Sequence, residues 1–147
     1  MSPASVAPAV IFVCSRNAVR SPMAEALWRA RFGARARAVS CGVAPASLPD
    51  GHMIAVMDEI GVDLSDYECR DMDDVAGEPA DLVVCLSDDV DAQARAFAKA
   101  RGAAYRLWPV DEPAAGRDRF LTLASYRAAR DAIGSRILAF EPESGAD

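Results

Sequence analysis

The stretch VIFVCSRNAVRSPMAEAL, running from Val10 to Leu27, decides the fold. With Ala9 it gives an apolar run, Ala9 to Val13, that reads as a buried strand. A polar segment follows, Cys14 to Arg20, and then the signals of a helix start: Ser21 as N-cap, Pro22 at the first helical position and Glu25 in the first turn. Ala24, Leu27, Trp28 and Phe32 recur at helical spacing, so one face of this helix is apolar, and Gly33 can close it. Strand, short polar loop and amphipathic helix make the first half of a β-α-β unit.

Outward from this unit the alternation continues. A second strand is expected around Arg37 to Ser40, and Met53, Val56, Met57 and Ile60 mark a helix from about Asp50 that stops at Gly61. Ala80 to Leu86 is a buried-strand run; Ser87, Asp88 and Asp89 then open a helix carrying Val90, Ala94, Phe97 and Ala98. Ala104 to Trp108 reads as a fourth strand, and Tyr126, Ile133, Ile137 and Phe140 lie on one face of a long last helix. Parallel neighbours need crossover connections, so this order predicts an α/β fold of three layers, a four-stranded parallel sheet with helices on both faces. One domain is expected over residues 1–147, with 1–8 and 141–147 as loose tails. In such sheets ligands sit beyond the carboxyl ends of the strands, so chemistry is to be sought in the loops after Val13, Ser40, Leu86 and Trp108.

Composition excludes several classes. Sixteen Lys and Arg against 22 Asp and Glu leave a formal charge of −6, which argues against a nucleic-acid or anionic-membrane surface as the main partner. A lone histidine, His52, excludes His-rich metal sites and mechanisms that need two imidazoles. Cys14, Cys41, Cys69 and Cys85 contain no C-x-x-C pair for zinc or a thioredoxin-type site. Neither a signal-peptide pattern nor an apolar run of membrane-spanning length is present, and a soluble cytoplasmic protein with reduced cysteines is expected. No metal and no organic cofactor are called for.

The loop after the first strand carries the chemistry. Cys14-Ser15-Arg16-Asn17-Ala18-Val19-Arg20-Ser21 sets a thiol and a guanidinium six positions apart, between a strand end and a helix N-terminus. A tight loop of this length turns successive backbone N–H groups inward as a nest, and the helix adds its positive end, so a tetrahedral dianion fits without a basic surface. Arg20 would clasp two of its oxygens in bidentate fashion. The same field suits an anionic sulfur at Cys14, to which the Ser21 hydroxyl can donate. A sulfur nucleophile facing a bound oxyanion is the arrangement that covalent phosphoryl transfer requires.

With these residues in place, Val10 to Leu27 resembles the signature loop of low-molecular-weight protein tyrosine phosphatases and of the thioredoxin-coupled arsenate reductases that share their fold. The likeness continues in Ser40-Cys41-Gly42, in Glu59 to Ser65, in Ala80 to Val84 and in the last helix. It implies a phosphotyrosine phosphatase I-like fold, Cys14 as nucleophile and Arg20 as oxyanion clamp. Ser15, Arg16, Asn17, Ala18, Val19 and Ser21 form the rest of the phosphate loop, with Asn17 holding its strained backbone by internal hydrogen bonds. The family supplies its general acid as Asp-Pro after the fourth strand. Here the run is Trp108-Pro109-Val110-Asp111-Glu112-Pro113: register from Pro113 points to Glu112, residue type to Asp111.

Departures from the family pattern narrow the substrate. Ala114 and Ala115 follow Pro113 where phosphatases of this family often carry aromatic residues that flank a phosphotyrosine ring. Arsenate reduction through a relay needs two further cysteines, but Ser87 and Ala94 hold those positions, and Cys85 lies two residues early. Val19 replaces a second loop cysteine, and Arg16 stands where the family usually has Gly, a puzzle if that backbone needs positive φ. Arg16 is expected to point outward and recruit an acidic substrate. The resemblance thus implies a cysteine-dependent phosphatase acting on a phosphorylated protein or small phosphomonoester, through a phosphocysteine. The alternatives are an arsenate reductase using an external thiol and a non-catalytic oxyanion-binding module.

Overall fold

A computed structural model describes residues 7–33 and 37–141. Its strands are β1 (Val10–Cys14), β2 (Ala38–Gly42), β3 (Leu82–Cys85) and β4 (Ala104–Leu107); its helices are α1 (Arg20–Phe32), α2 (Gly51–Asp58), α3 (Asp91–Ala100) and α4 (Arg119–Ala139). The strands form one parallel sheet in the order β2-β1-β3-β4. This is the four-stranded α/β architecture that the alternation predicts. The expected tails fall mostly outside the described residues; Ala7 and Pro8 are half-buried, and Ala7 packs on the core.

Strand alternation divides the core into two layers. Val10, Phe12 and Cys14 of β1 face α1, α2 and α4, meeting Met23, Trp28, Met53, Met57, Ile133 and Ile137. Ile11 and Val13 face the other way, with Val83 and Cys85 of β3, and pack under α3 at Ala94 and Ala98. Both central strands are buried on both faces, which is why they read as continuous apolar runs rather than alternating ones. Trp28 anchors the larger layer, its ring 5.7 Å from Phe12, 4.5 Å from Phe32 and 5.0 Å from Phe140. No helix among the described residues is long and apolar enough to cross a membrane.

Some local expectations are corrected. β2 continues through Cys41 and Gly42 rather than ending at Ser40. Ser21 is not the N-cap of α1: the helix begins at Arg20, Val19 holds the cap position without a side-chain bond, and the serine hydroxyl is directed to the site instead. Glu25 lies past the first turn and is buried. Ile60 is 45% exposed and falls beyond α2. A short 3-10 turn, Asp88–Val90, precedes α3. Gly33 closes α1 as expected, with φ +89°.

Candidate active site

Residues 15–19, between β1 and α1, form a loop whose carbonyls point outward. The carbonyls of Cys14, Ser15, Arg16 and Ala18 accept from the amides of Val43, Ala44, Ala46 and Asp50 at 2.8–3.1 Å, so the segment after β2 zips along the outside of the loop. Outward carbonyls turn the intervening amides inward, as in an anion-binding nest. The Asn17 amide donates to Cys14 Sγ at 3.2 Å. The amides of Arg16, Ala18 and Val19 find no acceptor among the described residues.

Two residues permit this path. Asn17 has φ +53°, the only positive value at a non-glycine among the described residues, so the left-handed turn sits at Asn17 and not at Arg16. The puzzle of Arg16 in place of glycine is thereby removed. Gly42 lies against the loop: a Cβ there would stand 2.7 Å from the Asn17 nitrogen and 2.8 Å from the Arg16 carbonyl carbon. Sequence reading quoted Gly42 only within the likeness and missed this role.

Cys14 is 2% exposed at the end of β1, with its sulfur 3.0 Å from Ser21 Oγ. Ser21 Oγ also accepts from Asn17 Nδ2 at 2.7 Å, and its own proton lies within reach of both the sulfur and the Cys41 carbonyl, 3.4 Å away. Arg20 opens α1 buried, and its guanidinium donates to the Val110 carbonyl at 2.9 Å, to Ser15 Oγ at 3.2 Å and to Glu112 Oε1 at 3.1 Å. The loop after β4 is thus fastened to the arginine, which brings Glu112 to the same cavity as Cys14. That cavity has a volume of about 150 Å³, and Arg16, Ala18, Val19, Leu48 and Pro113 are among its walls. Asp111 does not line it and faces an adjoining cleft instead, beside Asp88, Asp89 and the exposed Arg16. Of the two acids that sequence left open, Glu112 is the one brought to Cys14.

Behind the loop lies a buried polar network that sequence reading did not anticipate beyond Asn17. Asn17 Nδ2 donates to Ser40 Oγ at 3.1 Å, and its Oδ1 accepts from the Tyr67 hydroxyl at 2.9 Å and the Arg70 amide at 2.7 Å. Ser40 Oγ donates to Glu25 and is also in hydrogen-bond contact with Tyr67. The buried Glu25 carboxylate pairs with Arg29 at 3.1 Å and Arg70 at 3.4 Å, as a buried charge requires. Burial pushes the Tyr67 phenol up to about 12, so it stays a donor across the neutral range. No local pattern marks Tyr67 or Arg70, since both come from the irregular segment between α2 and β3 and reach Asn17 across 50 residues or more.

The other candidates fall outside the pocket. Cys41 is fully buried and its thiol is pushed up to about 12 by that burial. Cys85 is likewise buried, its thiol raised, and its sulfur donates to the Ser87 carbonyl at 3.0 Å. Ser87, at the position of a relay cysteine, uses its hydroxyl to accept from the Ser15 amide at 3.3 Å. Cys69 is half-exposed and does not line the cavity. His52 is half-buried at the start of α2, 5.2 Å from the Tyr126 ring. Arg29 and Arg31, both exposed near the end of α1, make an ion pair with Glu25 and a stack on Phe32, while Arg35 lies outside the described residues. Among the described residues no three His, Cys, Asp or Glu side chains converge as a metal site would.

Comparison with known proteins agrees with this fold. The arsenate reductase 1 of Staphylococcus epidermidis is 28% identical over 131 residues, covering 89% of this chain and 93% of its own. Two solved structures share the fold. An arsenate reductase in the phosphate-binding state superposes with a TM-score of 0.69 at 23% identity, covering 88% of this chain and 92% of its own. The tyrosine phosphatase of Erwinia amylovora superposes with a TM-score of 0.70 at 19% identity, covering 95% and 97%. A family model described as low molecular weight phosphotyrosine protein phosphatase matches residues 9–134, and the chain belongs to that family.

Proposed function

We propose that the protein is a cysteine-dependent phosphatase that hydrolyses phosphomonoesters through a phosphocysteine. The inward amides of the loop and Arg20 hold the dianion, and the Cys14 sulfur attacks phosphorus in line. The S–P bond forms as the bond to the leaving oxygen breaks, and Glu112 supplies the proton that oxygen needs. The deprotonated Glu112 then takes a proton from water, which attacks phosphorus, releases the sulfur and leaves inorganic phosphate. The partner is a phosphorylated protein or small phosphomonoester in a cytoplasmic setting.

One observation carries this reading: the Glu112 carboxylate shares the Cys14 cavity and stands 3.1 Å from Arg20. A carboxyl group in that place can give the leaving oxygen its proton; the hydroxide that thiolate attack expels from arsenate needs one too, so Glu112 suits either reaction and turnover separates them. The second reading, arsenate reduction with an external low-molecular-weight thiol, draws on the arsenate reductase name of the staphylococcal relative. Against an internal relay stand the burial of Cys41 and Cys85 and the position of Cys69 outside the cavity.

Assay of p-nitrophenyl phosphate beside arsenate with glutathione separates the two. Turnover of the aryl phosphate that disappears in Cys14→Ser is expected. Arsenate turnover without phosphatase activity would overturn the proposal, and phosphate binding with neither turnover would favour a non-catalytic oxyanion module.

A further inference from the structure

The proposed reaction gives the Arg20 guanidinium to the oxyanion, but three acceptors already hold it. Nη1 donates to the Val110 carbonyl at 2.9 Å, and Nη2 donates to Ser15 Oγ at 3.2 Å and to Glu112 Oε1 at 3.1 Å. A guanidinium carries its N–H groups in a rigid planar fork. It can meet two oxygens side by side along the edge of Nε and Nη2, or along the edge of Nη1 and Nη2. Nη2 belongs to both edges, and Ser15 and Glu112 together account for its two hydrogens. A bidentate clasp on a dianion therefore has to take one of them back.

The surroundings decide which bond gives way. Ser15 is fixed through its backbone: its amide donates to Ser87 Oγ at 3.3 Å and its carbonyl accepts from the Ala44 amide at 2.8 Å. Its hydroxyl is neutral and does not repel an anion. Glu112 brings a negative charge to the cavity over Cys14, and its side chain is 56% exposed against 7% for Arg20, so water can solvate it once released. The chain on either side is pinned. The Val110 amide donates to the Leu86 carbonyl at 3.0 Å, and the Ala114 amide donates to Ser125 Oγ of α4 at 3.0 Å. Release of Glu112 is thus a side-chain movement within a fixed loop.

We propose that Glu112 and the substrate dianion are alternative partners of Arg20: the carboxylate closes the clamp as an internal competing anion, and the dianion opens it by displacing the carboxylate. The inference rests on the proposed binding of phosphate by the Cys14–Arg20 loop. The incoming anion takes the edge of Nε and Nη2, while Val110 keeps Nη1 and Ser15 keeps the other hydrogen of Nη2. Anion binding is weakened, because an ion pair must break before both prongs are reached. In exchange the carboxylate is set loose in the cavity when a substrate occupies the arginine, at the stage where the leaving oxygen needs a proton.

Calorimetric titration with inorganic phosphate, at one pH and ionic strength, measures this competition without turnover. Glu112→Gln removes the competing charge and should tighten phosphate about tenfold. Glu112→Asp keeps the charge but ends one methylene short of Arg20, and should tighten phosphate by at least about threefold. Asp111→Asn removes an equal charge from the adjoining cleft and should leave Kd within about twofold of wild type. An unchanged Kd in Glu112→Gln overturns the proposal. So does a wild-type Kd in Glu112→Asp, which would reduce Glu112 to a repelling charge, or an Asp111→Asn variant as tight as Glu112→Gln. Wild-type turnover of p-nitrophenyl phosphate reports separately on the phosphatase reading, so turnover with unaltered Kd values strikes the exchange alone.

Discussion

Substituting Gly42 by alanine tests whether the phosphate loop owes its shape to a close approach of two backbones. The added Cβ would stand 2.7 Å from the Asn17 nitrogen, 2.8 Å from the Arg16 carbonyl carbon and 3.0 Å from the Ser15 oxygen, whereas ordinary contact begins at 3.4 Å. All three neighbours are backbone, so relief requires the loop to move by about 0.7 Å, the shortfall at the nearest atom. Overpacking of this kind costs about 1–3 kcal/mol. The displaced atoms belong to the loop proposed to hold the oxyanion and include the Asn17 amide that donates to Cys14 Sγ, and a misplacement approaching 1 Å costs on the order of 100-fold in rate. The expected phenotype is therefore a loss of about 10- to 100-fold in kcat/KM for p-nitrophenyl phosphate, with weaker phosphate binding and a lower urea midpoint. Gly134→Ala in α4 is the matched control: nothing lies within 4 Å of its Cβ, and alanine in a helix interior should add about 0.5–1 kcal/mol. Activity of Gly42→Ala within threefold of wild type would refute the close-approach reasoning.

Other outcomes follow from the same geometry. For an alkyl phosphate with a poor leaving group, Glu112→Gln should slow kcat by about 100- to 10,000-fold, while Asp111→Asn stays within threefold; the reverse order would show that the acid comes from the adjoining cleft. Iodoacetamide at pH 7.5 followed by mass spectrometry should leave Cys41 and Cys85 unlabelled in the native protein and label both on unfolding, since burial raises both thiols, Cys41 to about 12. Glu59 accepts from Arg127 and Arg130, and hydrogen bonds from Arg127 chiefly hold its carboxyl at about 2, against an ordinary 4.5. With the folded value lowered, its stabilising contribution is complete above about pH 4.5 and is lost as pH falls toward 2. The difference in thermal midpoint between wild type and Glu59→Gln should therefore shrink across that window, and a constant difference would contradict the pairing.

How far the sequence alone reaches can be judged element by element. Val10 to Leu27 carries strand, loop and helix in consecutive residues, each governed by side-chain alternation, helical spacing and turn chemistry that act within a few positions. The alternation of apolar runs with helical periods therefore yielded the parallel sheet and its flanking helices, and the spacing of Cys14 and Arg20 pointed to a loop that lines a cavity. Ser21 marks the limit of local rules. Its type and position suit an N-cap, yet the helix already begins at Arg20, so the Ser21 hydroxyl is not at the cap and lies 3.0 Å from Cys14 Sγ instead. In sequence, register from Pro113 points to Glu112 and residue type to Asp111; the side chain that lines the Cys14 cavity is Glu112, because Arg20 holds Val110 and Glu112 from 90 and 92 positions away. Asp50 with Tyr126, Tyr67 with Asn17 and Gly42 against the loop are likewise contacts between distant segments. Sequence by itself determined the alternation of strands and helices, the parallel sheet and the Cys14–Arg20 loop proposed to face an oxyanion. Only the tertiary structure decided which carboxylates, walls and buried donors surround that loop, because those contacts depend on where chain-distant backbones meet.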